Sequence, residues 1–530
     1  MQHWFFHFVV VSLALNALMA LVWPTGLWSL VVVGPLILMG LHDWWQTEHS
    51  IRRNFPLFAR GRWCMEALRP YVRQYFIESD TDATPISRMF RSIVYQRAKD
   101  TLDSVPYGTR VDTYRDGYEW IGHSIAAIDA EAVDQDMRVA VGGADCRHPY
   151  RASILNVSAM SFGALSGNAI LALNRGAREG GFAHNTGEGG ISPYHLEHGG
   201  DLVWQIGTGY FGCRRADGGF CAETFREAAS HASVRMIELK LSQGAKPGHG
   251  GILPAEKNTA EIALSRGVEP GIEVRSPAAH SAFATPREMM HFIARLRELA
   301  DGKPVGFKLA IGHRVEFLAL CKAMLETGIL PDFITVDGGE GGTGAAPLEF
   351  ANSLGMPLRE AVAFVDDCLT GFDLRQEIRV IAAGKVFTGF HIVKNLALGA
   401  DMCNSARGMM LALGCVHSLT CHSNRCPTGV TTQDPRLYRG LVVSDKAPRV
   451  AQYHAKTLHA AAEIIGAAGL RHSRELRRHH LFRRINQQAV CQYDQIFPRL
   501  PPGSLLGDQV PARFQRDLAQ ASADHFWRLG

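Results

Sequence analysis

From about residue 150 the chain alternates short apolar runs with longer stretches of helical period. Ile154–Val157, Gly181–Asn185, Met236–Leu241, Ile272–Arg275, Val305–Ala310, Phe333–Val336, Ile378–Ala382 and Asp401–Asn404 read as strands. The patterns of Asn168–Glu179, Pro286–Leu299, Val315–Glu326, Leu358–Leu369 and Phe390–Leu398 read as helices between most of them, with Ser166 placed to cap the first. Eight short apolar strands alternating with helices predict an α/β protein, a (β/α)8 TIM barrel in preference to an open sheet. A further long helix, Val450–Ala467, is expected to pack outside the barrel.

The first 45 residues follow a different pattern. Trp4–Val22 is almost wholly apolar, Trp23-Pro24-Thr25-Gly26 is a turn signal, and Leu27–Leu41 is apolar again. Each run is nearly long enough to cross a hydrocarbon core of about 30 Å. Trp4, Trp23, Trp44 and Trp45 lie near the ends, where interfacial aromatics belong. A signal peptide would begin with basic residues, and Met1-Gln2-His3 has no Lys or Arg. The pattern predicts an N-terminal transmembrane helical hairpin, in preference to a signal peptide or a buried helical hairpin. Arg52, Arg53, Arg60, Arg62, Arg69 and Arg73 follow it, which by the positive-inside rule places both termini and the catalytic domain on the cytoplasmic side of the inner membrane.

The expected organisation is a hairpin over 1–45, a juxtamembrane region over 46–120, a barrel over 121–470 and a basic tail over 471–530. The tail's arginines, Arg471, Arg474, Arg477, Arg478, Arg483 and Arg484, read as a solvated face, with contact to anionic lipid as the sharper alternative. Composition narrows the class. Hydrophobic residues make up 46% and charged residues 20%, which fits a globular enzyme, and a net charge of +4 gives no reason to expect nucleic acid.

In such a barrel, chemistry sits on loops at the carboxyl ends of the strands. Three of these ends are glycine-rich: Asp337-Gly-Gly-Glu-Gly-Gly-Thr-Gly344, Ala382-Ala-Gly-Lys385 and Asn404-Ser-Ala-Arg-Gly408. The last two lie where barrels commonly hold a phosphate on backbone N–H groups, and Arg407 adds a cation. No G-x-G-x-x-G motif links a strand to a helix, so no Rossmann nucleotide site is expected. Cys415, Cys421 and Cys426 form a C-x5-C-x4-C triplet followed by Pro427. Spacing alone is compatible with iron–sulfur ligands, with zinc ligands joined by His422, or with buried thiols. The other eight of the eleven cysteines, Cys403 among them, are scattered.

Ser158-Ala-Met-Ser-Phe-Gly-Ala-Leu-Ser166, Asn185-Thr-Gly-Glu-Gly-Gly190, Gln243-Gly-Ala-Lys-Pro-Gly248, Gly341-Gly-Thr-Gly344 and Leu413-Gly-Cys…Cys421-His…Cys426-Pro-Thr-Gly-Val-Thr-Thr-Gln433 occur in this order. Together, over roughly 150–470, they resemble the FMN/synthase domain of glutamate synthases. The resemblance implies FMN over the barrel mouth, with Ala159, Met160 and Ser161 near the ring, and Gln243 and Lys308 as polar flavin contacts. It places Gly341, Gly342, Gly384, Ala406 and Arg407 at the ribityl-phosphate end, and makes Cys415, Cys421 and Cys426 the ligands of a [3Fe–4S] cluster. It implies reduction of the imine of 2-oxoglutarate and ammonia, with Lys240, Lys246 and Arg266 holding the dicarboxylate and Glu188 positioning or deprotonating the incoming ammonia.

Ile252 departs from the family pattern, which has a substrate-facing glutamine there, and the loop after Lys308 is shorter. Another keto acid or amine on the same scaffold is therefore the alternative substrate. A non-catalytic membrane redox protein is disfavoured by the presence of Glu188, Lys246, Arg266 and all three cysteines. Neither an amidotransferase domain nor a glycine-repeat β-helix is recognisable, so ammonia is expected as the free molecule, from an amine donor or from a separate protein. Electrons are expected from a ferredoxin or a reductase.

Overall fold

The computed structural model describes residues 2–526 and divides into two compact units, one up to Arg88 and one from Met89. In the first, helices Gln2–Val22 and Leu30–Trp45 are joined through a 3-10 turn, Pro24–Ser29. Both hydrophobic segments, Gln2–Val22 and Pro24–Trp45, are long and apolar enough to cross a membrane. The two helices approach closely at Gly40, where any Cβ would overlap the Phe5 ring. Asn16 donates to the Ser12 carbonyl at 2.8 Å and accepts from the Ser29 hydroxyl, so its buried amide is satisfied at the turn. Arg60 grips Asp43 through two bonds of 2.7 Å and ties a following helix, Ala59–Val72, to the end of the hairpin.

The second unit is built on a closed parallel barrel, as expected. Its strands are β1 Leu155–Val157, β2 His184–Asn185, β3 Leu202–Ile206, β4 Val234–Lys240, β5 Val305–Leu309, β6 Phe333–Asp337, β7 Arg379–Ala383 and β8 Met402–Ser405. Closure is by Leu155 opposite Cys403 and Val157 opposite Ser405. The predicted helices are present as Gly167–Gly180, Pro286–Leu299, Arg314–Thr327, Leu358–Gly371 and Gly389–Leu398. Ser166 caps the first of these, accepting the Ala169 N–H at 3.2 Å. The outer helix, Val443–Ala467, packs on Gly167–Gly180 through Gly176, where a Cβ would meet Val450 and the Ala447 carbonyl.

One strand assignment is corrected. Ile272–Arg275 is not a barrel strand: Val274–Arg275 pairs antiparallel with Ile252–Leu253 in a ribbon above the mouth. The third barrel place belongs to Leu202–Ile206, whose residues are all buried. Glu273 and Arg275 alternate with apolar neighbours, which suits a half-exposed ribbon, whereas barrel strands are covered on both faces.

The barrel is apolar at its base and polar towards its mouth. Val141, Ala152, Ala183, Val203, Met236, Phe333, Ile381 and Met402 form the lower core. Val141 and Ala152 come from a hairpin, Arg138–Val141 with Tyr150–Ser153, that precedes β1. Higher up, the buried Glu238 carboxylate accepts from Asn185 at 3.0 Å, Gln205 at 2.6 Å and Thr335 at 2.7 Å.

The basic tail is not simply a solvated face. Arg478 is buried and paired with Asp366 and Asp367, both at 2.9 Å. Leu481–Arg484 forms an antiparallel sheet with Glu119–Ile121 and Val490–Gln492. There Arg483, Arg359 and Lys394 converge on the Glu119 carboxylate.

Candidate active site at the barrel mouth

The loop after β2 carries Glu188 into the mouth between glycines. A Cβ on Gly207 or Gly251 would strike its carboxylate, and one on Gly187 would strike the backbone of Met160 and Ser161. Gly187 has φ +66, so this turn needs glycine for both space and backbone conformation. Lys240, at the end of β4, lies 3.1 Å from Glu188 and donates to Gln243 at 2.7 Å. Gln243 donates in turn to the Thr343 hydroxyl at 3.3 Å, reaching the glycine loop after β6. Burial alone would raise the Glu188 carboxyl, but Lys240, with smaller contributions from Arg266 and Lys246, holds it below its ordinary value.

Arg266 is buried at the end of helix Ala260–Arg266. It donates to the Phe162 carbonyl at 3.1 Å and to the Ser161 hydroxyl at 3.4 Å, and lies over the Phe211 ring. Its buried Nε has no partner among the described residues. Burial pulls its pKa down to about 10 against the opposing pull of Glu188. Lys246 is also buried, and burial lowers its ammonium, with Glu188 opposing and Lys240 adding to the shift. Glu188, Lys240, Lys246 and Arg266 thus form one electrostatic cluster of three basic groups around one carboxylate.

Lys308, at the end of β5, faces the same centre but is held by Asp337 at 3.2 Å. Asp337 also accepts the Gly244 N–H at 3.0 Å. Burial would lower Lys308; Asp337, then Glu238 and others, outweigh it and raise the ammonium above its ordinary value.

The remaining predicted contacts border this centre. Ala159, Met160 and Ser161 are half-buried on the loop after β1. Gly341 and Gly342 lie on the loop after β6, where a Cβ on Gly342 would meet the Arg407 guanidinium. Gly384 has φ +148 at the end of β7. Ala406 precedes the short helix Arg407–Ala412, and Arg407 donates to the Glu340 carbonyl at 2.7 Å. Sequence reasoning did not single out Lys385 as a site residue. Burial lowers its ammonium and Arg407 lowers it further, so two mutually repelling cations stand at the β7 and β8 ends. A phosphate would relieve that repulsion.

Cys415, Cys421 and Cys426 interact electrostatically with one another. Burial pushes Cys415 up to about 12 and raises Cys421. Cys426 is also penalised by burial, yet hydrogen bonds from Thr428 and Thr431 bring it below the ordinary thiol value. Lys257 bridges the Cys421 and Thr431 carbonyls at 2.8 and 2.7 Å. Among the described residues, no three His, Cys, Asp or Glu groups converge as on a single metal ion. The segment after Cys426 is clamped to the loop after β1: Gln433 donates to the Gly163 and Leu165 carbonyls, and Ser166 donates to the Gly429 carbonyl. The sequence also gave no sign that helix Arg88–Ala98 supports this loop. Tyr95 donates to the Cys415 carbonyl at 2.6 Å, and Arg91 contacts His417 at 2.8 Å.

Ile252 lies on the ribbon above the mouth, paired with Arg275. Gly251 faces Glu188, and Leu253 reaches towards Gly163, beside Arg266. Side chains alternate along a strand, so Ile252 belongs to the opposite face of the ribbon.

A family model described as a conserved region in glutamate synthase matches residues 112–471. The chain belongs to the glutamate synthase family. It is a glutamate synthase-like oxidoreductase. It is 35% identical to the glutamate synthase large subunit-like protein YerD of Bacillus subtilis (strain 168), over 88% of this chain and 96% of that protein. The archaeal-type glutamate synthase [NADPH] of Thermotoga neapolitana is 31% identical over 80% of this chain and 81% of its own length. The archaeal glutamate synthase [NADPH] of Methanocaldococcus jannaschii is 35% identical over 61% of this chain and 60% of its own length.

Proposed function

We propose that this glutamate synthase-family protein uses FMN and a [3Fe–4S] cluster to make glutamate reductively from 2-oxoglutarate and ammonia. The observation that carries the reading is the cluster of Lys240, Lys246 and Arg266 around Glu188, with Arg266 Nε unpartnered. Three basic groups facing one carboxylate leave the positive excess that a dicarboxylate requires. Arg266 and Lys246 hold the substrate carboxylates and exclude water. Lys240 fixes Glu188, whose ionised carboxylate positions the incoming ammonia or takes up the proton released as the ammonia adds to the ketone.

FMN would supply the hydride. Lys385, Arg407 and the backbone at Gly341, Gly342 and Gly384 suit its phosphate, and Gln243 and Lys308 suit the polar edge of its ring. The three soft thiols would hold an iron–sulfur core, which would supply one-electron transfer to the flavin. Clamping of the cysteine loop to Gly163, Leu165 and Ser166 favours a short electron route to the flavin side of the mouth. A ferredoxin or a reductase is the proposed electron source. The two apolar N-terminal helices are proposed to anchor the protein in the cytoplasmic membrane with the barrel on the cytoplasmic side.

The test is anaerobic mixing of the reduced holoenzyme with a panel of 2-keto acids and ammonia, read by flavin reoxidation and product analysis. Reoxidation that requires both 2-oxoglutarate and ammonia and yields glutamate is expected. Reoxidation by a different keto acid alone would overturn the substrate assignment.

A further inference from the structure

We infer that the helical segment from Ala59 to Ile77 is an interfacial element that lies on an anionic bilayer surface. This inference rests on the membrane-anchor reading of the preceding hairpin. The segment runs as an α-helix, Ala59–Val72, and continues through a π-helical turn, Arg73–Ile77. Phe58, Met65, Leu68, Val72, Tyr75 and Phe76 recur at helical spacing and are all exposed, Met65 at 67% and Phe76 at 85%. A contiguous exposed apolar stripe of this kind is uncommon on a soluble surface.

The other sides of the helix specify what covers the stripe. Arg60 lies roughly opposite it and is committed to Asp43 at the end of the hairpin, so the helix is tethered by its back. Arg62, Arg69 and Arg73 follow one border of the stripe, and Arg73 is only loosely paired with Glu78, at 3.5 Å. An apolar face bordered by arginines, tethered where a membrane hairpin ends, fits the boundary between acyl chains and anionic headgroups. Phe58, Tyr75 and Phe76 would occupy the interface, with the arginine heads among the phosphates.

The test uses the full-length protein in phosphatidylglycerol-containing vesicles, with p-benzoylphenylalanine replacing Met65, Phe76 or, on the opposite face, Ala67. Irradiation should give lipid adducts at 65 and 76 but not at 67, read by peptide mass. R62Q/R69Q/R73Q should lower the adduct yield roughly fivefold or more in these vesicles. Adducts to a second copy of the chain, no adduct at 65 and 76, or equal adducts at all three positions would overturn the inference. An arginine-independent yield would overturn its anionic-lipid part. Carbonate extraction of the same samples separates the two readings: release of the wild type refutes the hairpin anchor, while lipid adducts absent from a protein that resists extraction refute only the interfacial helix.

Discussion

Nζ of Lys240 stands 3.1 Å from Oε1 of Glu188 and donates at 2.7 Å to Oε1 of Gln243. One ammonium therefore joins the Glu188 carboxylate on the β2 loop to the glutamine that reaches the β6 loop. Because the lysine lies at the end of a buried strand, the carboxylate is positioned by the barrel itself.

Glu188→Gln keeps the shape of the side chain and removes its charge. Flavin content and spectrum should be unchanged, while the rate of flavin reoxidation by 2-oxoglutarate and ammonia falls about 10²–10⁴-fold. The folded carboxyl titrates below its ordinary 4.5, so its stabilising contribution is present above that value and lost as pH falls through the folded pKa. The variant's melting temperature should accordingly vary less than the wild type's in that acidic window.

Lys246→Met tests the opposite sign. Burial lowers this ammonium below 10.5, so its charge opposes folding at neutral pH, and that cost is relieved as pH rises from the folded pKa towards 10.5. The variant should melt higher than the wild type near neutrality, with the difference closing in alkali. Its KM for 2-oxoglutarate should rise, because a charged contact to the substrate is lost. An unchanged KM would remove Lys246 from the substrate pocket.

Much of this architecture is legible in the sequence, and the gaps have physical causes. Strands such as Val305–Leu309 and Phe333–Asp337 are compact apolar runs because both faces are covered. Leu202–Ile206 is hard to read as a strand because Gln205 interrupts its run, and that polarity is explained only by Glu238, opposite it on the neighbouring strand β4. The glycine loops mark where backbone meets backbone, so Glu188 and Arg407 could be singled out. Lys385 could not, since its significance lies in its proximity to Arg407. The Tyr95 bond to Cys415 spans 320 positions and leaves no local pattern.

Lys308→Met should strip the Asp337 carboxylate of its buried cation. Breaking such a pair from one side typically costs about 3–5 kcal/mol. The variant should unfold at markedly lower denaturant and bind FMN poorly, since Asp337 also holds the Gly244 N–H. Lys308→Met/Asp337→Asn should recover stability without recovering flavin affinity. Recovery of both would show that Lys308 serves folding alone.

Cys415→Ser, Cys421→Ser and Cys426→Ser should each abolish bound iron and sulfide, whereas Cys403→Ser should not. Cys403 is buried in β8, where Asn395 donates to its sulfur at 3.8 Å. Tyr95→Phe removes only the support under Cys415. Iron should still be incorporated but lost to a chelator several-fold faster, and an unchanged loss rate would make the Tyr95 contact incidental.

Ile252→Gln addresses substrate choice. If the residue at 252 read the distal substrate carboxylate, restoring an amide would favour 2-oxoglutarate over less polar keto acids by about 10-fold or more, the worth of a well-placed hydrogen bond to charge. The ribbon argues otherwise. Gly251 faces Glu188 and Leu253 reaches towards Gly163, so position 252 belongs to the other face. The ratio of kcat/KM between 2-oxoglutarate and 2-oxobutyrate should therefore change less than about threefold in Ile252→Gln. Arg266→Leu should instead collapse that ratio, because it removes the unpartnered Nε and the fixed cation beside Glu188. A tenfold shift in the first variant, or none in the second, would move the specificity determinant from the Arg266 side of the pocket to the ribbon.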